Sequence, residues 1–281
     1  MNLSQPPSRW LPASVLFGLA SIGANLWLVF GWRGQVILDE TSISFAIYQG
    51  LIFGQLATAA GWLVFGQRPA LVRLSGGLLL IGLLGWPLAQ VGSVITARPF
   101  FVAGIYLALN AIWMAGLRVT CGVRVSRANG VATGVNLAAH NLQFSLGSAM
   151  AWLTGFCLFF GLARQTEIEF TEMTKIVVYL IPFVFTAFVG SGVVCSGNAV
   201  IWRKIATMAV CPFVAGLVGT GFFPGTRGMA VFAIAAVVEL LYIAVAWKLC
   251  YLAGYRLRRS TAANMSSSRE PGPQTMPPSP T

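Results

Sequence analysis

Apolar runs of about twenty residues recur along this chain, and they restrict the folds open to it. A run of that length forms a helix that crosses roughly 30 Å of hydrocarbon. Charged residues make up 9% of the sequence, whereas a soluble domain has about 25%. Inside a bilayer the backbone has to satisfy its own hydrogen bonds, which leaves helices or a closed barrel. The runs do not alternate apolar with polar residues as barrel strands do, so the sequence predicts an all-α, polytopic helical membrane protein.

The apolar runs define about eight transmembrane helices between two flanking segments. Residues 1–10 form a short N-terminal segment, residues 11–254 the transmembrane bundle, and residues 255–281 a basic juxtamembrane segment with a tail. The tail is rich in Ser, Pro and Thr, and we predict it to be disordered because it has too few apolar residues to form a core. The predicted spans are 11–32, 43–65, 75–95, 99–119, 142–163, 176–195, 205–223 and 229–251.

Basic residues are distributed unevenly among the loops, and this predicts the orientation of the chain. With a cytoplasmic N-terminus, 13 of the 18 basic residues fall in cytoplasmic segments, as the positive-inside rule requires. Two acidic clusters then fall on the outer side, Asp39 with Glu40 and Glu167 with Glu169 and Glu172. We therefore predict an integral, multi-pass membrane protein with both termini in the cytoplasm.

The net charge of +11 is better explained by topology and lipid than by nucleic acid. The basic residues lie in short loops and near the C-terminus, where they orient spans and meet lipid headgroups. Arg256, Arg258 and Arg259 precede the tail. They are either an anchor to anionic lipid or a plain topology signal. The expected partner is the lipid bilayer, and no nucleic-acid binding is expected.

A row of polar residues precedes the fifth span. Its members follow one another at intervals of three or four residues, which places them on one face of a helix. This pattern predicts an amphipathic helix that leads into span five, with its polar face either at the membrane surface or turned into the bundle to line a cavity. The row consists of Asn129, Thr133, Asn136, His140 and Gln143.

Glu239 is an acidic residue inside an apolar span, at position 11 of the 23 residues 229–251. A charge at the bilayer centre costs about 2.5–3.5 kcal/mol on insertion scales. Two interpretations stay open: a proton- or cation-binding site, and a protonated acid that packs by hydrogen bonding to a neighbouring helix. Because no basic residue lies at a matching depth, a neutral partner is expected, from among Asn25, Gln49, Gln55, Asn110 and His140.

The sequence lacks the motifs that are typical of several classes of enzyme and metal site. It contains no Walker A loop, GxSxG or HExxH. One histidine and five cysteines without a CxxC pair give little support to a metal or haem centre. The acidic loop around Glu167, Glu169 and Glu172 could hold a hard cation, but its spacing matches no calcium loop and a solvated loop is the simpler interpretation. No cofactor is expected.

Three hypotheses about function follow from these features. The leading hypothesis is transport of a small molecule, a lipid or a proton-coupled solute, based on Glu239 and the polar row. The second is a structural or accessory subunit that packs against a partner membrane protein or a second copy of itself. This hypothesis depends on the closely packing small residues Gly50 with Gly54, and Gly147 with Ala151 and Gly155. The third is an intramembrane enzyme, which would need a second polar group beside Glu239.

Overall fold

The computed structural model describes residues 16–21, 23–25, 27, 42–65, 69–91, 98–121, 123–127, 161, 170–195, 201–223, 226–252 and 255–259. Apart from two five-residue strands, the elements in these ranges are α-helices. In chain order they are α1 (Leu16–Asn25), α2 (Ile43–Phe65), α3 (Ala70–Val91), α4 (Arg98–Cys121), β1 (Val123–Arg127), α5 (Phe170–Cys195), α6 (Ile201–Phe222), α7 (Thr226–Leu252) and β2 (Tyr255–Arg259).

This chain is a helical membrane protein. Within the described ranges, α2, α4, α5, α6 and α7 are long and apolar enough to cross a membrane, which confirms the helical prediction. The apolar stretch of α3 is shorter, Leu71–Gly85, and α1 is also a short apolar helix. Span five at 142–163 and the amphipathic helix before it lie outside the described residues.

Polar and proline residues mark the starts of several helices. Ser42 caps α2, because its hydroxyl accepts a hydrogen bond from the Phe45 amide at 3.0 Å. Pro69 precedes α3, and its carbonyl accepts from the Arg73 amide at 3.2 Å. Pro99 is the second residue of α4, where its missing N–H removes no helical hydrogen bond.

Glycines on α2 allow a close approach to α7, and the contacts show that the two helices run in the same direction. A β-carbon added to Gly50 would overlap Ala235 and Val238, and one added to Gly54 would lie 2.7 Å from Tyr242 Cβ. Further along, Gly61 faces Trp247. The contact positions therefore advance together along both helices, and the GxxxG pattern of α2 is its interface with α7.

Helices α4 and α5 complete a core of four parallel helices with α2 and α7. The Phe53 ring of α2 lies 4.4 Å from Tyr106 of α4 and 4.9 Å from Phe183 of α5, measured between ring centroids. Phe183 in turn packs at 5.3 Å against Phe232 of α7. The interior is filled by these large rings, which are buried.

Helices α3 and α6 run antiparallel to this core and lie at its edge. Gly77 of α3 faces Leu107 of α4, and Gly85 faces Phe100, so α3 and α4 form a hairpin. Gly219 of α6 likewise approaches Phe232 of α7. Only 28% of the apolar stretch of α6 is buried, against 61% for α2, which leaves most of α6 as an outward apolar surface of the kind lipid covers.

The two strands form an antiparallel ribbon at one end of the bundle. β1 follows α4 and β2 follows α7. Because these two helices are parallel, their C-terminal ends lie at the same end of the bundle and the strands meet there. In the ribbon Arg124 is opposite Arg258, and Val125 is opposite Leu257.

Candidate functional site

Glu239 lies in the middle of α7 and is completely buried. Its side chain has 0% exposure, and its neighbours Ala236, Leu240 and Ile243 are buried with it. Gly190 of α5 leaves room for the Leu240 side chain beside it. The carboxyl therefore belongs to the interior of the four-helix core and does not face lipid.

Tyr106 of α4 supplies the hydrogen-bond donor to this carboxyl. The hydroxyl of Tyr106 donates to Oε1 of Glu239. Tyr106 is also fully buried, and its ring is held in place by the stacked Phe53 ring. Tyr106 is not among the partners of Glu239 that the sequence predicted. A tyrosine in the interior of a span, at a depth similar to that of the buried acid, was the available signal.

Asn110 lies one helical turn after Tyr106 and is part of the same polar cluster. Its Nδ2 donates to the Tyr106 backbone carbonyl at 3.0 Å, and the residue is fully buried. Among the described residues, Asn110 Oδ1 and Glu239 Oε2 have no hydrogen-bond partner. Buried polar atoms are nearly always hydrogen-bonded, so two open positions in one cluster suggest a place where a polar group binds.

The positive charges of α7 lie too far away to neutralise Glu239. Arg227 and Lys248 are 12 and 9 positions from Glu239 along the helix, which corresponds to about 18 Å and about 14 Å along its axis. An ionised carboxylate in this apolar interior would carry an uncompensated charge, which is far more costly than a neutral acid. The surroundings therefore favour a carboxyl that carries a proton.

The protonated acid has a definite hydrogen-bonding capacity. Oε1 accepts from Tyr106, while a proton on Oε2 would make that oxygen a donor. The acid can then donate to a water molecule or to a polar group of a solute. Within the described ranges, His, Cys, Asp and Glu side chains do not gather in groups of three.

Helix α6 carries Cys211, whose thiol is buried. Where α6 packs against α7, Gly216 approaches Ala233 and Gly219 approaches Phe232. Continuing this antiparallel register places Cys211 at about the level of Glu239. The sequence motifs gave Cys211 no role, since the five cysteines contain no CxxC pair. The position of Cys211 makes it a natural reporter of access to the acid.

The predicted neutral partners of Glu239 have other places in the structure. Asn25 donates through Nδ2 to Gln55 Oε1 at 2.9 Å, and this buried pair joins α1 to α2. Gln49 is buried, and neither of its amide atoms has a partner among the residues described. Asn110 reaches the site through Tyr106. The sequence predicted that one of five neutral residues would hydrogen-bond to the carboxyl. The four that are described do not, and Tyr106 takes that place. His140 lies outside the described residues.

A cavity of about 270 Å³ lies between α1, α2, α3 and α7. Gln55, Trp62 and Tyr242 are among its lining residues, whereas Glu239 and Tyr106 are not. Tyr242 also packs against Phe17 of α1, with ring centroids 5.0 Å apart. This cavity is separate from the Glu239 cluster.

The remaining sequence candidates are not brought to this site by the described part of the chain. Glu172 lies in the first turn of α5, at the end of the bundle opposite the ribbon. Glu167 and Glu169 lie outside the described residues. The same is true of the whole polar row, Asn129, Thr133, Asn136, His140 and Gln143.

Comparison of the chain with protein-family models, curated proteins and solved structures found no match.

Proposed function

We propose that this protein transports a small polar solute across the membrane in a proton-coupled cycle, with Glu239 as the residue that binds the proton. The observation that carries the proposal is the burial of a lone carboxyl in a parallel helix core, bonded to Tyr106 on one oxygen and open on the other. Ionisable residues inside membrane spans are costly and commonly mark ion and proton pathways.

Tyr106 gives the site two hydrogen-bonding states. When Glu239 is ionised, the Tyr106 hydroxyl donates to the carboxylate and stabilises its charge. When Glu239 is protonated, Oε2 becomes a second hydrogen-bond donor, and a solute or a water molecule can accept its hydrogen bond. The same residue can then hold a proton and a polar solute together, and release of one weakens the binding of the other.

The arrangement of the helices supports movement of α6 relative to the core. α6 is the least buried of the long helices, and its register against α7 places Cys211 at about the level of Glu239. It also contains Pro212 in its interior. Proline removes a helical hydrogen bond and favours a kink. A bend of α6 relative to the core would admit water to the acid from one side.

The proposed topology is multi-pass, with eight spans and both termini in the cytoplasm. The direction of the helices places Arg203 and Lys204 at the same end of the bundle as the ribbon. That end holds most of the basic residues, and by the positive-inside rule it is the cytoplasmic end.

Purified protein in proteoliposomes that contain a pH-sensitive dye tests the proposal. Pools of amino acids, sugars, organic acids and nucleosides are added outside, and the pH of the lumen is followed. We expect at least one pool to change the pH in the wild type, and Glu239→Gln to abolish this change. Glu172→Gln removes a carboxyl far from the site and should leave the solute-dependent pH change intact.

Two results would contradict the proposal. One is solute uptake that is equal in wild type and Glu239→Gln at every imposed pH gradient. The other is no flux with any pool together with reproducible co-purification of a membrane protein partner, which would favour the accessory role.

A further inference from the structure

The ribbon of β1 and β2 concentrates arginine at one end of the bundle. Its ten residues include five arginines and no acidic residue. They come from two segments that are more than a hundred residues apart in the sequence. Arg256, Arg258 and Arg259 lie close together in the sequence, and pairing of the strands adds Arg124 and Arg127 to them.

The register separates these arginines into two groups. Directly opposite residues of an antiparallel pair lie on one face, and successive residues alternate between faces. One face therefore holds Arg124 opposite Arg258, and Ser126 opposite Arg256. We call this the basic face. The other face holds three apolar residues and Tyr255, with Arg259 and Arg127 at its two ends.

Like charges in opposite positions destabilise a strand pair. A two-stranded ribbon by itself is also marginally stable in water. The pairing of Arg124 with Arg258 therefore calls for a counter-charge, and the ten residues of the ribbon contain none. An anion bound on the face that holds both arginines would supply it.

The position of the ribbon indicates what that anion is. β1 and β2 begin within two or three residues of the ends of α4 and α7. If these helices cross the bilayer along their full length, their ends and the ribbon lie near the lipid headgroups. The other acidic residue in the described ranges besides Glu239 is Glu172, at the opposite end of the bundle. Arginine binds phosphate oxygens through its fork of N–H donors.

We propose that the basic face, formed by Arg124, Ser126, Arg256 and Arg258, binds the phosphate headgroups of anionic phospholipids and so ties the ends of α4 and α7 together. This binding does not depend on the proposed transport function. The opposite arginines Arg127 and Arg259 are not part of the site.

Native mass spectrometry of the full chain in mild detergent tests this assignment. The protein is titrated with phosphatidylglycerol or with phosphatidylcholine, and the Kd of the first bound lipid is measured. The double variant Arg124→Gln/Arg258→Gln should raise the Kd for phosphatidylglycerol by about tenfold to thirtyfold, since each arginine near an anionic surface contributes about fivefold. Arg127→Gln/Arg259→Gln is the matched control, with the same charge change on the other face, and should stay within about threefold.

Thermal unfolding is used to check that both double variants fold. If Arg124→Gln/Arg258→Gln does not fold, the single variant Arg258→Gln takes its place. Equal losses in both double variants would show general attraction between charges and overturn the proposal. So would a wild type that binds the two lipids equally well. Inorganic phosphate is added as a competitor, and full displacement of the lipid by an equal concentration of phosphate would assign the face to soluble phosphate instead.

Discussion

The Tyr106 hydroxyl donates a hydrogen bond to the Glu239 carboxyl and so joins the middles of two parallel helices, across 133 positions of sequence. Both side chains are fully buried. The bond fixes the depth of α4 against α7, and it places one oxygen of the acid where it has no partner among the described residues. The stability of the core and the proposed binding of protons therefore depend on the same pair.

Tyr106→Phe removes the hydroxyl and keeps the ring. It leaves Oε1 of a buried acid without its donor, which should lower the free energy of unfolding by about 1–3 kcal/mol. Because Gln retains an acceptor oxygen, Glu239→Gln should cost less. Unfolding by dodecyl sulfate in mixed micelles measures both. A double-mutant cycle of Tyr106→Phe with Glu239→Leu should give a coupling of at least about 0.5 kcal/mol, and a coupling near zero would disprove the contact.

Gly50→Ala and Gly54→Ala should separate α2 from α7. The added methyl groups meet Ala235 and Val238 in the first case and Tyr242 in the second, so each should destabilise the protein by about 1–3 kcal/mol. Gly82→Ala is the matched control, because a β-carbon there meets nothing within 4 Å. It should be neutral or slightly stabilising. Equal effects at all three positions would show that these glycines act through helix propensity and not through close packing.

Thiol labelling should report that Glu239 is closed to water in the resting protein. Cys211 is buried at about the level of the acid, and Cys250 is partly exposed near the end of α7. In variants that retain a single cysteine, a water-soluble methanethiosulfonate should label Cys250 readily and Cys211 much more slowly. Equal rates would mean that the core is open to water without transport.

Reporter fusions at the two termini test the topology. An even number of spans and a cytoplasmic N-terminus predict that a fluorescent protein fused to either end is folded and active in the cytoplasm. Alkaline phosphatase at the same positions should be inactive. Termini on opposite faces would require an odd number of spans and contradict the predicted topology. A C-terminus on the outer face would also reverse the assignment of the basic end, because β2 follows α7.

Hydropathy predicted the helices well, because the length and apolarity of a span are local properties. The predicted spans 43–65 and 99–119 match α2 and α4 closely. Glu239 also stood out in the sequence, since an isolated acid in an apolar run is costly wherever the helix packs. The glycine pair of α2 predicted a close contact with another helix, but it did not predict which helix.

The partner of Glu239 and the strand ribbon depend on contacts between distant segments, and the sequence analysis found neither. Periodicity sets the face of α4 on which Tyr106 lies, but it does not set which helix that face meets. For β1, the alternation of Val123 and Val125 with Arg124 was a weak strand signal. Its meaning depends on β2, which follows a different helix more than a hundred residues later.

The protonation of Glu239 is the most direct test of the account. Infrared spectroscopy of the reconstituted protein over a range of pH resolves the carbonyl stretch of a protonated carboxylic acid, and the difference between wild type and Glu239→Gln assigns the band to this residue. Seven acidic residues in the whole chain keep the spectrum simple. We expect a Glu239 band that is present at neutral pH and decreases reversibly as the pH is raised while the protein stays folded. A band that persists unchanged until the protein unfolds would identify Glu239 as a permanently neutral packing acid and contradict its role in proton transfer.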